Sequence, residues 1–183
     1  MFRKPKTPSS ISLGPDGQAN HTLSVLRTGT SDGTLGNDIE FVPGFALHAD
    51  PALGLGGQYR SPAGRLLELD ARMSGQGDWI GLHMALPAQD LSEVGVLGFA
   101  ARTSATETCV LRACLRSGTE AGFQDCFFDK HLLLRPEEAS HLDALPVGMR
   151  DTLPDTAPWR ELILFLPLTD FRIALIDLRV FVV

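Results

Sequence analysis

Cysteine, aromatic side chains and positive charge are all scarce in this chain of 183 residues. Its three cysteines, Cys109, Cys114 and Cys126, are an odd number with no CxxC pair. That argues against a complete disulfide framework and against a zinc ribbon. They are expected as buried thiols in a reducing compartment. Lys and Arg number 16 against 22 Asp and Glu, a net charge of -6. A mildly acidic chain without clustered basic residues is poorly suited to a phosphate backbone, so no nucleic-acid partner is expected. No apolar run is long enough to cross a bilayer. The basic start, "MFRKPKTPSS", has no apolar stretch behind it and does not resemble a secretory signal. The expected location is therefore cytoplasmic or within a larger particle. No phosphate cradle is spelled either: the glycines of "HADPALGLGG" do not form GxGxxG before a helix.

What is present is enough apolar material, 44% of residues, for one domain with a real core. The 18 glycines and 12 prolines are scattered as punctuation, which favours many short strands over a few long helices. Residues 1–40 read as an irregular N-terminal arm. "GPDGQANHT" and "RTGTSDGTLGND" are polar and Gly-rich, with "LSVLR" between them as one short strand. The first ten residues are basic and Pro-containing. They are expected to be dispensable for folding and to serve association with other subunits.

From residue 41 the texture changes. "FVPGFALHAD" predicts a strand and "LGLGGQYRSPAG" a loop. "RLLELDARM" alternates, with Leu67, Leu69, Ala71 and Met73 on one side and Glu68, Asp70 and Arg72 on the other. "WIGLHMAL" alternates again, setting Ile80, Leu82, Met84 and Leu86 against Trp79, Gly81 and His83. "VGVLGFAAR" and "TCVLRACLR" follow, joined by the hairpin-length "TSATE". In the second of these, Leu111, Ala113 and Leu115 oppose Arg112 and Arg116. "FQDCFFDKHLLL" predicts a strand broken near Asp129. "RPEEASHLDAL" predicts the one short helix, with Pro136, Glu137 and Glu138 in its first turn. A long loop, "PVGMRDTLPDTAP", precedes the strand "WRELILFLP".

The chain then closes on "DFRIALIDLRVFVV" with no polar tail. Even positions from Ala174 to Val182 are apolar, whereas the odd side carries Asp177 and Arg179. This is a half-buried strand rich in β-branched residues. As a free edge it would be an aggregation hazard, so it is expected between two strands or against another subunit. The economical fold is all-β, a jelly-roll β-sandwich over residues 41–183 with one short helix and the irregular arm. Leu67, Leu69, Ile80, Leu82, Leu111, Leu164, Ile176 and Leu178 are its predicted core.

The strand "GRLLELDARM", the inner "FAAR" strand and the last strand "FRIALIDLRVFVV" together resemble a galactose-binding-domain-like jelly roll. The same sandwich occurs in many carbohydrate-binding modules. The resemblance covers about residues 41–183 and implies a non-catalytic binding or interaction role. Fold alone does not fix function, so the residues must carry it. Sugar sites combine aromatic platforms with carboxylates, amides and Arg. Trp79, His83, Glu68, Asp70, Arg112 and Arg116 all fall opposite the apolar residues of their strands. If those strands share a sheet, these residues share one open face. Tyr59 and Trp159 are candidates for loops at the sandwich end, where galactose-binding-like folds often bind ligand. An ordinary solvated sheet face with cross-strand ion pairs accounts for the same residues, and the lean aromatic fraction of 7% favours it.

The His/Asp pairs His48 and Asp50, Asp129 and His131, and His141 and Asp143 form no known cage. No metal or cofactor is expected. Glu68 and Asp70, two apart on a strand, are about 7 Å apart at the backbone, which suits a catalytic carboxylate pair but also any polar face. Three readings follow. The chain is a carbohydrate-binding-like module without catalysis, a structural or adhesion subunit of a larger assembly joined through residues 1–10 and the C-terminal strand, or a glycoside-active enzyme.

Overall fold

Alternating residues become strands and the strands become two facing sheets, in a computed structural model that describes residues 14–183. The basic arm, residues 1–10, lies outside the described residues, with the association expected of it. The elements run in chain order from a helix α1 (Pro15–Thr28) through β1 (Ser31–Thr34), β2 (Asp38–Val42), β3 (Phe45–Ala49) and β4 (Leu55–Ser61). Next come β5 (Leu67–Met73), β6 (Ile80–Leu86), β7 (Val96–Ala105), β8 (Cys109–Thr119) and β9 (Gly122–Phe127). The chain ends with β10 (Leu132–Leu134), β11 (Ala139–Pro146), β12 (Arg160–Phe165) and β13 (Phe171–Val182).

One sheet has six strands in the order β1-β4-β5-β13-β7-β11. The other has seven, β10-β8-β12-β6-β3-β2, with β9 also paired to β8. From β5 to β8 and from β11 to β13, successive strands alternate between the sheets, which is the winding of a jelly roll. All eight predicted core residues are at most 3% exposed. Each buried Leu or Ile contributes roughly 1.5–3 kcal/mol of apolar transfer energy.

The C-terminal strand β13 lies between β5 and β7, as its apolar pattern requires. Its alternation is not continuous, however. The register slips between Leu175 and Asp177. Ile173 and Leu175 therefore face inward before the bulge, and Leu178 and Val180 after it. Beyond Leu175, β5 no longer pairs with β13, and α1 covers that edge. The Asn20 amide stands in for a neighbouring strand: its Nδ2 donates to Val180 O (2.7 Å) and its Oδ1 accepts from Val180 N (3.0 Å). Arg27 pairs with Asp177 on the same edge. With β7 on one side and β5 and α1 on the other, β13 needs no second subunit to cover it.

Several local expectations are corrected. "LSVLR" is part of α1 and not a strand. Ala19, Leu23 and Leu26 are buried at helical spacing, Pro15 stands in the first helical positions, Asp16 is in the first turn and Arg27 in the last. The tract read as irregular thus supplies core. "RPEEASHLDAL" is not a helix. Its second half forms β11, and every residue from Ala139 to Pro146 has a partner on β7. Leu145 and Asp143 face inward, while Leu142 points to solvent. A ladder of that length outweighs a helix preference of a few tenths of a kcal/mol per residue. "FVPGFALHAD" is a hairpin, β2 to β3, turned at Gly44 with φ +88°. "LGLGGQYRSPAG" contains β4. Finally, "TSATE" is an arch and not a hairpin: β7 and β8 lie in different sheets.

Candidate functional site

The strand registers divide the predicted site residues between two outer faces. Trp79, His83, Arg112, Arg116 and Trp159 belong to the seven-stranded sheet. Glu68 and Asp70 belong to the six-stranded sheet, on the other side of the molecule. The single open face expected from the sequence is therefore two.

On the seven-stranded sheet, His83 of β6 is opposite Ile163 of β12, and Ile163 is opposite Cys114 of β8. The register places Trp79, His83, Glu161, Ile163, Phe165, Arg112 and Arg116 on one outer face, with Phe123, Asp125 and Phe127 of β9 beside them. Trp79 and Trp159 flank this face from opposite ends. Each precedes its strand, β6 and β12 run antiparallel, and Arg160 is level with Leu86. Eight residues of strand separate the two levels, about 26 Å. Trp79 is 41% exposed and Trp159 43%. The Trp159 indole lies flat on Gly118, where a Cβ would come within 2.4 Å of its Nε1. Glycine is the residue that lets the ring settle onto the sheet.

Between the indoles the polar groups are held in pairs. His83 Nδ1 lies 3.0 Å from Glu161 Oε2. The carboxylate can only accept, so Nδ1 donates. His83 Nε2 is buried with no hydrogen-bond partner among the described residues, close against Gly81. His48 Nδ1 is 2.8 Å from Asp38, and the His48 and His83 rings meet edge to face at 4.8 Å. Arg116 makes a two-pronged bond to Asp125 (2.7 and 2.8 Å), with its guanidinium 3.8 Å from the Phe123 ring centre. Arg112 sits 4.1 Å over Phe127, which is stacked on Phe165 at 6.0 Å. Beneath these groups Ile163 and Cys114 are buried on an outer face. Burial pushes the Cys114 thiol well above the ordinary range, with Asp125 adding to the effect, so it is inert.

The six-stranded face carries a broad trough of about 1130 Å³, lined among others by Asp32, Arg60, Glu68, Asp70, Thr106 and Arg172. Glu68 bonds to Arg60, its cross-strand partner, and Asp70 is 2.8 Å from Arg172, directly opposite. These are cross-strand ion pairs of an ordinary sheet face. Tyr59 is not on a loop at the sandwich end. It is on β4 opposite Leu69, half-buried, edge-on to Phe41 at 4.9 Å. Trp159 immediately precedes β12.

The His/Asp pairs have other employment. Asp50 accepts from the N–H groups of Ala52 and Asp78, which hold its carboxyl below the usual range. Asp129 pairs with Arg150, and Asp143 accepts from Lys130 N at 2.8 Å. Among the described residues no group of three or more His, Cys, Asp or Glu is placed to hold a metal ion. No described helix is long and apolar enough to cross a membrane. One catalytic pattern is spelled in the sequence: Gly29-Thr30-Ser31-Asp32-Gly33 matches GxSxG. Its Ser31, however, opens an exposed edge strand that follows a helix, the reverse of the strand-to-helix elbow that activates such a serine. No histidine among the described residues lines the neighbouring trough.

Glu161, Phe123, Asp125, Phe127 and Phe165 were not among the residues singled out from sequence. The signal was there: Trp159, Glu161, Ile163 and Phe165 alternate in "WRELILF", as do Phe123, Asp125 and Phe127 in "FQDCF".

No family model matches the chain, and no curated protein matches it in sequence. Solved structures do match its fold. The N-terminal cellulose-binding domain of Cellulomonas fimi β-1,4-glucanase C is 13% identical, covers 82% of this chain and 94% of its own, and superposes with a TM-score of 0.54. The CBM22-1 xylan-binding domain of Paenibacillus barcinonensis Xyn10C is 11% identical over 76% of this chain and 86% of its own, with a TM-score of 0.51. A CBM4 structure is 13% identical over 68% and 75%, with a TM-score of 0.50. At such identities the likeness is one of fold: the chain shares a β-sandwich with these domains.

Proposed function

We propose that the chain is a non-catalytic carbohydrate-binding module that takes a glycan across the outer face of its seven-stranded sheet, between Trp79 and Trp159. The observation that carries this reading is the pair of half-exposed indoles at opposite ends of one face, with Arg112, Glu161 and His83 between them. An exposed indole keeps apolar area in water, which becomes favourable once a ring surface covers it. A sugar offers such a surface from its C–H groups, and its hydroxyls suit the flanking carboxylate and guanidinium. The Trp159 ring is already laid flat on Gly118, so little ordering remains to be done on binding.

Catalysis is disfavoured by the state of the carboxylates. Glu161, Asp125, Glu68 and Asp70 each face a histidine or arginine. A glycosidase needs two carboxyl groups free to flank one bond, and each of these four is already engaged by a neighbouring side chain. The glycans named for the fold's neighbours, cellulose and xylan, are the first ligands to try.

Calorimetric titration with cellohexaose and xylohexaose tests the reading. Binding of at least one is expected, and Trp79→Ala and Trp159→Ala should each weaken it about 10- to 30-fold, the loss typical of an aromatic anchor. Absence of binding to both at millimolar concentration, or unchanged affinity in both variants, would remove the site from this face.

A further inference from the structure

Arg112 points to the class of glycan. Most described arginines rest against a carboxylate: Arg60 on Glu68, Arg116 on Asp125, Arg172 on Asp70. Arg112 has no carboxylate within ion-pair distance among the described residues. It lies against a ring instead, over Phe127 and directly opposite Phe165. The neighbouring positions are apolar: Val110 two residues before it on β8 is 51% exposed, and Leu133, paired with Val110, is 53% exposed. An exposed guanidinium is thus fixed on an aromatic surface, with no carboxylate or carbonyl bonded to it among the described residues.

We infer that the ligand of this face is an acidic glycan, and that Arg112 selects it by binding the carboxylate of a uronic acid. This rests on the glycan-binding reading above and narrows it. A guanidinium presents two parallel N–H groups that match the two oxygens of a carboxylate, and a charge-assisted pair of this kind is about twice as strong as a neutral bond. The stacked ring holds the fork in place, so the bond costs little side-chain entropy on forming. Arg116, four residues further along β8 on the same side, cannot compete for the ligand because Asp125 already occupies both of its prongs. The net charge of -6 disfavours polyanions at long range, so selection has to come from this contact and not from steering.

The test uses the full chain and ligand pairs that differ by a carboxylate: cellohexaose against its C6-oxidised counterpart, and xylohexaose against the same chain bearing a glucuronic acid branch. Wild type should bind the acidic member of at least one pair about tenfold or more tightly than the neutral one. That preference should shrink in about 1 M salt, where the Debye length is near 3 Å. Arg112→Gln should abolish the preference, so that the acidic and neutral members of each pair bind alike. Arg112→Lys, which keeps the charge without the fork, should retain only part of it. Equal affinities in wild type, or a preference that survives in Arg112→Gln, overturn the inference and leave the glycan site standing. If wild type binds no member of either pair, the site reading falls and this inference falls with it.

Discussion

Removing the Arg160 side chain should cost more stability than any exposed substitution on the sandwich. Arg160 is only 2% exposed, and it ties β12 to the long loop that precedes it. Its Nε donates to Ala88 O (2.6 Å), Nη1 to Ser117 Oγ (2.5 Å), and Nη2 to Pro154 O (2.6 Å) and Asp155 O (3.0 Å). Burial lowers its pKa, and among the described residues its bonds go to the Ser117 hydroxyl and to backbone carbonyls. Arg160→Met keeps the length of the side chain and strips all four bonds. The Ala88 carbonyl and the Ser117 hydroxyl are then buried without a donor, at about 1–3 kcal/mol each. Water can reach the Pro154 and Asp155 carbonyls when the loop loosens, so they add less. The relief of a buried charge offsets part of the sum. A net loss of about 2–4 kcal/mol is expected, which for a chain of this length is roughly 4–16 °C in Tm. Urea unfolding followed by circular dichroism measures it. A loss below about 1 kcal/mol would show that water already serves these carbonyls and that the loop is not held by Arg160.

Two further outcomes follow from the same geometry. Gly118→Ala should lift the Trp159 indole off the sheet, because the new Cβ would overlap the ring. Tryptophan fluorescence should shift to longer wavelength and glycan affinity fall, while the Tm changes by only a few degrees; an unchanged spectrum would contradict the packing. His141 has its pKa lowered, chiefly by burial, with Asp143 opposing and Lys130 adding to the shift. Its stabilising neutral form is fully present above the unfolded pKa of about 6.5 and is lost as pH falls through the depressed folded value. Stability measured by urea midpoint should therefore decline below about pH 6.5, with a flatter decline in His141→Phe; identical slopes would refute the assignment.

The fold was legible wherever one face of a strand was apolar and the other wet. Leu67, Leu69, Ile80 and Leu82 are core because period-2 alternation survives in β5 and β6 without interruption. It failed where tertiary pairing overrode local preference, as in β11, and where a short polar helix showed only Ala19, Leu23 and Leu26 to the core. In β13 the single-residue bulge at Ile176 breaks the parity, and sequence alternation carries no mark of it. The candidate site was half legible. Trp79, His83, Arg112 and Arg116 were correctly set opposite their core residues. Which strands share a sheet is decided by crossovers such as the β7 to β8 arch, so the condition under which Glu68 and Asp70 would share a face with Trp79 and Arg112 is not met. Glu161 and the β9 aromatics alternate as clearly as the residues that were picked, but their side of the sheet is fixed only by pairing with β8.

The face itself can be watched directly through its two tryptophans. In an amide and indole correlation spectrum of ¹⁵N-labelled protein, Trp79 and Trp159 give the two indole N–H signals of the chain. Titration with the hexaose that binds should move both signals along one saturation curve, together with the amides of Glu161, Arg112 and Ile163. The account is contradicted if both indole signals stay still while amides around Gln58, Asp70 and Thr106 move, because the ligand would then lie in the trough of the opposite sheet.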